Sequence, residues 1–146
     1  MSTAAIIIIG DEILANKFQD ENTPYLLKRC SELGISVQSV SIIPDVLDRI
    51  ADTVQVESQR CTYVFTTGGV GPTHDDITFE GIAKAFDTTL YRNPELSALI
   101  ESYMDQPTDA AYRMAEIPME SILIPTLRGY PQVKVRNVFI FPGVPK

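Results

Sequence analysis

The first apolar stretch shows no alternation. Ala4 to Ile9 reads AAIIII and stops at Gly10, which suits a strand covered on both faces, as in a parallel sheet. Helical spacing follows. Leu26, Leu27, Cys30 and Leu33 share one face, with Asn22 or Thr23 as the cap, Pro24 in the first turn and Gly34 as the stop. ISVQSVSII (35–43) reads as a strand. Pro44 and Asp45 introduce a second helix, whose Leu47, Ile50, Ala51 and Val54 recur every third or fourth position and whose Asp48 complements the helix dipole. TYVFTT (62–67) is a further strand, and from Thr78 the residues Phe79, Ile82, Ala83 and Phe86 line one helical face.

This order predicts an α/β domain: three layers, α/β/α, around a mostly parallel central sheet. NPELSALIESYMD (93–105) repeats the capped-helix grammar through Asn93 and Pro94, and TDAAYRMAE (108–116) is a weaker helix after Pro107. The remainder is strand-like. ESILIP (120–125) and VKVRNVFIF (133–141) are joined by a turn around Gly129 to Pro131, and the last strand runs into FPGVP. At 146 residues the chain is one domain long, and no composition shift marks a linker.

Composition narrows the class. With 45% hydrophobic and 21% charged residues the chain is globular in character. Its longest early apolar run falls far short of the roughly 20 residues of a membrane span, and no basic segment precedes it, so a cytoplasmic protein without a membrane partner is expected. Cys30 and Cys61 form no C-x-x-C pair and read as buried, reduced thiols. A net charge of −7 argues against nucleic acid as a partner. After Glu120 the charged residues are all basic: Arg128, Lys134, Arg136 and Lys146. A solvated hairpin accounts for them, as does a local attraction for an anionic ligand.

The candidate chemistry sits in TTGGVGPTHDD (66–76), which holds three of the chain's eight glycines. In a parallel sheet, ligands gather beyond the carboxyl ends of strands. Three segments leave such ends here: GDEIL (10–14), GGVGPTHDD (68–76) and FPGVP (141–145). Gly68, Gly69 and Gly71, followed by Pro72 and Thr73, exceed what a simple turn demands and suit backbone N–H groups aimed at phosphate, with Thr78, a further candidate nucleotide contact, opening the helix behind them. Neither the Walker A loop nor the dinucleotide fingerprint fits, because lysine is absent and His74 replaces the third glycine.

Acids beside a phosphate cradle repel the ligand unless a cation lies between them. Asp75 and Asp76, with Asp11 or Glu12, are suited to a divalent metal shared with substrate phosphates, and such a metal activates water for attack on phosphorus. Either aspartate also serves as a cap for the helix at Thr78. Glu80 is a further metal or water ligand, or a surface acid favoured by the dipole. Asp20 and Asn22 in QDENT (19–23) are either helix-capping residues or contacts to ribose or base. His74, the chain's single histidine, is a weak general-base candidate.

IIIIGDEIL, QDENT, TTGGVGPTHDDIT and FPGVP, in this order and spacing, resemble the molybdopterin-binding fold family, in particular its CinA-like branch and the N-terminal domain of eukaryotic FAD synthases. The likeness spans nearly the whole chain. It implies that Gly68, Gly69 and Gly71 cradle phosphates, that Asp76 occupies the catalytic position of pterin-adenylylating relatives, and that Asp11, Glu12, Pro142, Gly143 and Pro145 match the first and closing loops. The implied activity is metal-dependent (Mg, Mn or Co) cleavage of FAD or an ADP-ribose-like dinucleotide to release AMP, in a homo-oligomer. A regulatory module that binds nucleotide or pterin, and a molybdopterin adenylyltransferase, are the alternatives. The branch commonly continues past PGxP with an acid and a helix where this chain has Lys146, so a contribution from beyond that residue is expected.

Overall fold

The computed structural model describes residues 2–14, 22–126 and 131–142, with the backbone alone at positions 12, 13 and 22. The first half alternates strands and helices: β1 (Thr3–Ile9), α1 (Asp11–Leu14), α2 (Asn22–Glu32), β2 (Ser36–Ile43), α3 (Leu47–Arg60), β3 (Tyr63–Thr67) and α4 (Thr78–Ala85). Next come β4 (Leu90–Arg92), α5 (Pro94–Tyr103), α6 (Asp109–Tyr112), a 3₁₀ turn (Arg113–Ala115) and β5 (Glu116–Pro118). The strands β6 (Ile122–Ile124), β7 (Gln132–Val135) and β8 (Val138–Phe141) complete it.

Six strands form one sheet in the order β2-β1-β3-β8-β7-β6. The first four are mutually parallel, while β7 and β6 run antiparallel to their neighbours. The isoleucine run explains the layering, because alternate side chains of an internal strand point to opposite faces. Ile7 and Ile9 join Ile50, Val54, Phe79, Ile82 and Val138 in the larger core, under α3 and α4. Ile6 and Ile8 meet Leu26 of α2 on the other face, where Phe65 and Phe141 pack half-buried against them. The α/β/α layering with a mostly parallel sheet is therefore as expected, and its two covers are unequal. Helices α3 and α4 approach closely because α4 presents Gly81 to Ile50; a Cβ at Gly81 would lie 2.4 Å from Ile50 Cγ2.

Several local expectations change. Residues 133–141 are not one strand but a tight hairpin, turning at Arg136, whose φ is +53°. GDEIL is one helical turn rather than a loop, and two short strands, β4 and β5, pair antiparallel in a separate sheet that periodicity did not reveal. Leu27 and Leu33 are exposed although they share a helical face with buried Leu26 and Cys30. The second helix starts after Val46 without a side-chain cap, whereas Asn93 caps α5 by accepting from Leu96 N at 3.0 Å.

Both cysteines are buried free thiols, and burial pushes the Cys30 thiol up. Among the described residues no helix is long and apolar enough to cross a membrane. Of the basic residues after Glu120, Arg136 pairs with Glu120 at 3.6 Å and stacks over Phe86, while Lys134 lies over Phe139. Arg136 thus ties the β7–β8 turn to Glu120 and to Phe86 at the end of α4, at the opposite end of β8 from Phe141. Arg128 and Lys146 lie outside the described residues.

Candidate functional site

The parallel strands β1, β2, β3 and β8 bring their carboxyl ends to one rim, and hydrogen bonds lace the loops there together. Gly68 N donates to Phe141 O at 3.2 Å, and Gly10 N donates to Ile43 O at 3.0 Å. Gly68 has φ of +90°, and a Cβ on it would stand 2.1 Å from Ile9 O, so only glycine allows β3 to turn this close to the end of β1. The strand order reverses between β1 and β3, which is where open α/β sheets hold ligands. The ends of β1 and β8 and the glycine loop after β3 thus converge.

Gly69 continues the turn at φ +70° and leaves room for Thr78, whose hydroxyl a Cβ would meet at 2.0 Å. Thr78 is wholly buried. Its Oγ1 donates to Gly68 O at 2.9 Å and its N donates to Gly69 O at 3.1 Å. Expected as a nucleotide contact, Thr78 is placed in the framework, where it stitches the start of α4 to the glycine loop. Val70 and Gly71, both half-buried, make no hydrogen bond to any described residue, so two consecutive backbone N–H donors remain unspent at the rim.

The two adjacent aspartates have different settings. Asp76 Oδ2 accepts from Thr73 N at 3.0 Å and from Thr73 Oγ1 at 2.8 Å, and Asp76 N donates back to Thr73 O at 3.1 Å. Gly71 lies against this carboxylate, since a Cβ there would come within 2.6 Å of Oδ2. The second oxygen, Oδ1, has no hydrogen-bond partner among the described residues. Asp75 instead sits with His74, Pro72 and Thr73 on an exposed crest, 3.6 Å from His74 Nε2.

The other acids are committed elsewhere. Asp11 Oδ1 accepts from Asp45 N at 3.2 Å, while Asp45 Oδ2 accepts from Asp11 N at 3.3 Å, a reciprocal clasp between the start of α1 and the loop after β2. Glu80 accepts from Arg113 Nη2 at 3.2 Å, and the same nitrogen donates to Asp76 O at 3.4 Å. Among the described residues no three acidic, histidine or cysteine side chains gather as a metal-binding group. Asp20 and Gly143 lie outside the described residues, as do the side chains of Glu12 and Asn22; Pro142 is exposed beyond β8.

Sequence reasoning missed three parts of this rim. Asp45 has no motif to advertise it. Arg113 is 37 residues from Asp76 and arrives only through the packing of the 3₁₀ turn. An apolar cavity of about 400 Å³ opens beside the loop, walled by Val70, Phe79, Met114, Val133, Ile140 and Phe141. Its walls come from four separate stretches of chain, which read individually as ordinary core. An anion at the unspent amides, with an apolar group in the adjoining cavity, is the ligand chemistry this arrangement accommodates.

A family model described as "Probable molybdopterin binding domain" matches residues 5–146. The chain is 36% identical over 170 residues to a probable FAD synthase of Caenorhabditis elegans, covering 99% of this chain and 32% of that protein. With a CinA-like protein of Prochlorococcus marinus it shares 32% identity over 151 residues, covering 96% and 36%. It therefore spans about a third of the length of these curated relatives. Among solved structures, CinA of Thermoplasma acidophilum superposes with a TM-score of 0.89 at 30% identity, covering 98% of this chain and 90% of that one. MoaB of Thermus thermophilus gives 0.60 at 17% identity, covering 99% and 83%, a likeness of fold alone.

Proposed function

The chain belongs to the molybdopterin-binding domain family, and from that premise we propose that its glycine loop binds the diphosphate of a dinucleotide, FAD or an ADP-ribose-like compound, and that the domain hydrolyses it with release of AMP. The observation that carries this reading is the pair of unspent N–H donors at Val70 and Gly71, beside the open Oδ1 of Asp76 and at the start of α4. Backbone donors at a helix N-terminus are suited to phosphate oxygens. The relatives called FAD synthase favour a flavin dinucleotide, and the cavity beside Val70 offers an apolar ring a place.

A divalent cation fits the loop in the manner of Mg²⁺, which takes one or two carboxylates and completes its shell with phosphate and water. Asp76, through Oδ1, and its exposed neighbour Asp75 would hold it; Asp11 and Glu80 are already bonded to Asp45 and Arg113. When bound, such an ion (Mg²⁺, Mn²⁺ or Co²⁺) supplies charge neutralisation and a more acidic water. The chain's own residues do the rest. Loop amides orient the diphosphate, Thr73 holds the Asp76 carboxylate in one rotamer, and the cavity walls exclude water from the apolar part of the ligand.

A nucleotide-binding module without turnover is the competing reading, favoured by the lack of a three-ligand acidic cluster among the described residues. One assay separates the two. The chain is incubated with FAD or ADP-ribose and each cation, and AMP release is followed for wild type and Asp76→Ala. Hydrolysis is expected to need the cation and to drop at least about a hundredfold in the variant. Turnover that persists through both chelation and the substitution refutes the proposed chemistry, and FAD binding without AMP under every cation selects the module.

A further inference from the structure

Of all lysines and arginines among the described residues, Arg113 alone is hydrogen-bonded to the segment 66–80. It meets Glu80 and the main-chain carbonyl of Asp76, and Asp75 lies in the same loop, so a diphosphate approaching the loop meets a surplus of negative charge with a single fixed cation in it. We propose that Arg113 is a phosphate-binding residue of this site, and that Glu80 is the counter-ion it gives up when the diphosphate arrives. The inference rests on the diphosphate reading above and adds the residue that makes an acidic rim receptive.

Three observations carry it. A guanidinium has five N–H donors, yet only Nη2 is engaged; Nε and Nη1 have no partner among the described residues. The Arg113–Glu80 pair is also partly solvated, with side chains 34% and 36% exposed, and such pairs bind weakly and exchange readily. A diphosphate offers the planar fork several charged oxygens in place of one carboxylate oxygen, a bidentate match that ammonium lacks. Finally, the next residue, Met114, walls the apolar cavity. Consecutive residues therefore place a cation and an apolar surface side by side, the order in which a dinucleotide presents its phosphate and its ring.

The test measures affinity, not turnover, by calorimetric titration of the folded protein with ADP and with adenosine at fixed Mg²⁺. Arg113→Ala is expected to weaken ADP binding by about tenfold or more and leave adenosine unchanged. Arg113→Lys should fall between, keeping the charge without the fork. Glu80→Gln should bind ADP at least as tightly as wild type, because it releases the arginine. Should Glu80→Gln instead lose as much affinity as Arg113→Ala, the pair acts only by positioning the loop and the inference fails. It fails equally if Arg113→Ala binds ADP like wild type. Wild type that binds no ADP defeats the diphosphate reading itself, and Arg113's role with it. If Arg113→Ala does not fold, Arg113→Lys and Glu80→Gln decide between the same outcomes.

Discussion

Thr78→Val isolates the bond that holds the glycine loop to α4. Valine has nearly the shape of threonine, so no cavity opens; what changes is the hydroxyl that donates to Gly68 O at 2.9 Å from a fully buried side chain. Gly68 is itself buried, and its carbonyl is left without that donor. The lost bond and the orphaned acceptor together cost about 2 kcal/mol, within the ~1–3 kcal/mol range for a buried group left unsatisfied. For a domain of this size that corresponds to a fall in Tm of roughly 4–8 °C. Thr78→Ser is the control, since it keeps the donor and removes one methyl, worth about 1 kcal/mol. Thermal unfolding followed by circular dichroism should rank wild type above Ser and Ser above Val. A valine variant as stable as wild type would show that the hydroxyl contributes nothing to the loop's anchoring, and the account of Thr78 as framework would be wrong.

Other consequences are open to equally direct measurement. Gly81→Ala gains helix propensity of about 1 kcal/mol, but its Cβ would lie 2.4 Å from Ile50 Cγ2, and overpacking of roughly 1–3 kcal/mol outweighs the gain. Urea unfolding should show net destabilisation, because Ile50 Cβ as well as Cγ2 would stand within 3 Å of the new methyl; a stabilised variant would mean that α3 and α4 separate freely. Burial pushes the Cys30 thiol above its ordinary value of 9.0, so the unfolded chain loses this proton first. The stability associated with the neutral thiol is complete below pH 9 and falls as pH rises past it. Native protein at pH 8 should therefore react slowly with a thiol reagent at Cys30 and quickly in denaturant; rapid native labelling of a chain whose only other thiol is removed would contradict the burial.

Much of the first half was legible because its signals are local. An uninterrupted isoleucine run, caps at proline and a glycine cluster after a strand each have one physical interpretation, and together they predicted that the ends of β1, β3 and β8 meet. The later segments carry weaker signals. β4 and β5 are three residues each, too short for periodicity to appear. The turn between β7 and β8 puts Arg136 at φ +53°, a conformation usually announced by glycine or asparagine; here the arginine is held by Glu120 and by stacking on Phe86. At the site, the sequence set Asp76 apart through the family resemblance but left Asp11, Asp75 and Glu80 each with a structural alternative. Their environments separate them: two have partners, one is exposed, and one keeps a carboxylate oxygen open at the loop. Residue type announces an acid, but its partner is a tertiary fact. Arg113 makes the point most clearly, because the electrostatic problem posed by the loop was visible while the nearby cation was not.

The position of β8 has a bearing on how this molecule is made. It is synthesised after β1 to β7, yet it takes an interior place between β3 and β7, and its final residue braces Gly68. A nascent chain leaving the ribosome thus exposes a bare β3 margin, open to adhesion with neighbouring chains, until residues 138–141 emerge and slot in. Premature termination shortly before them would leave the glycine loop fully translated but unsupported.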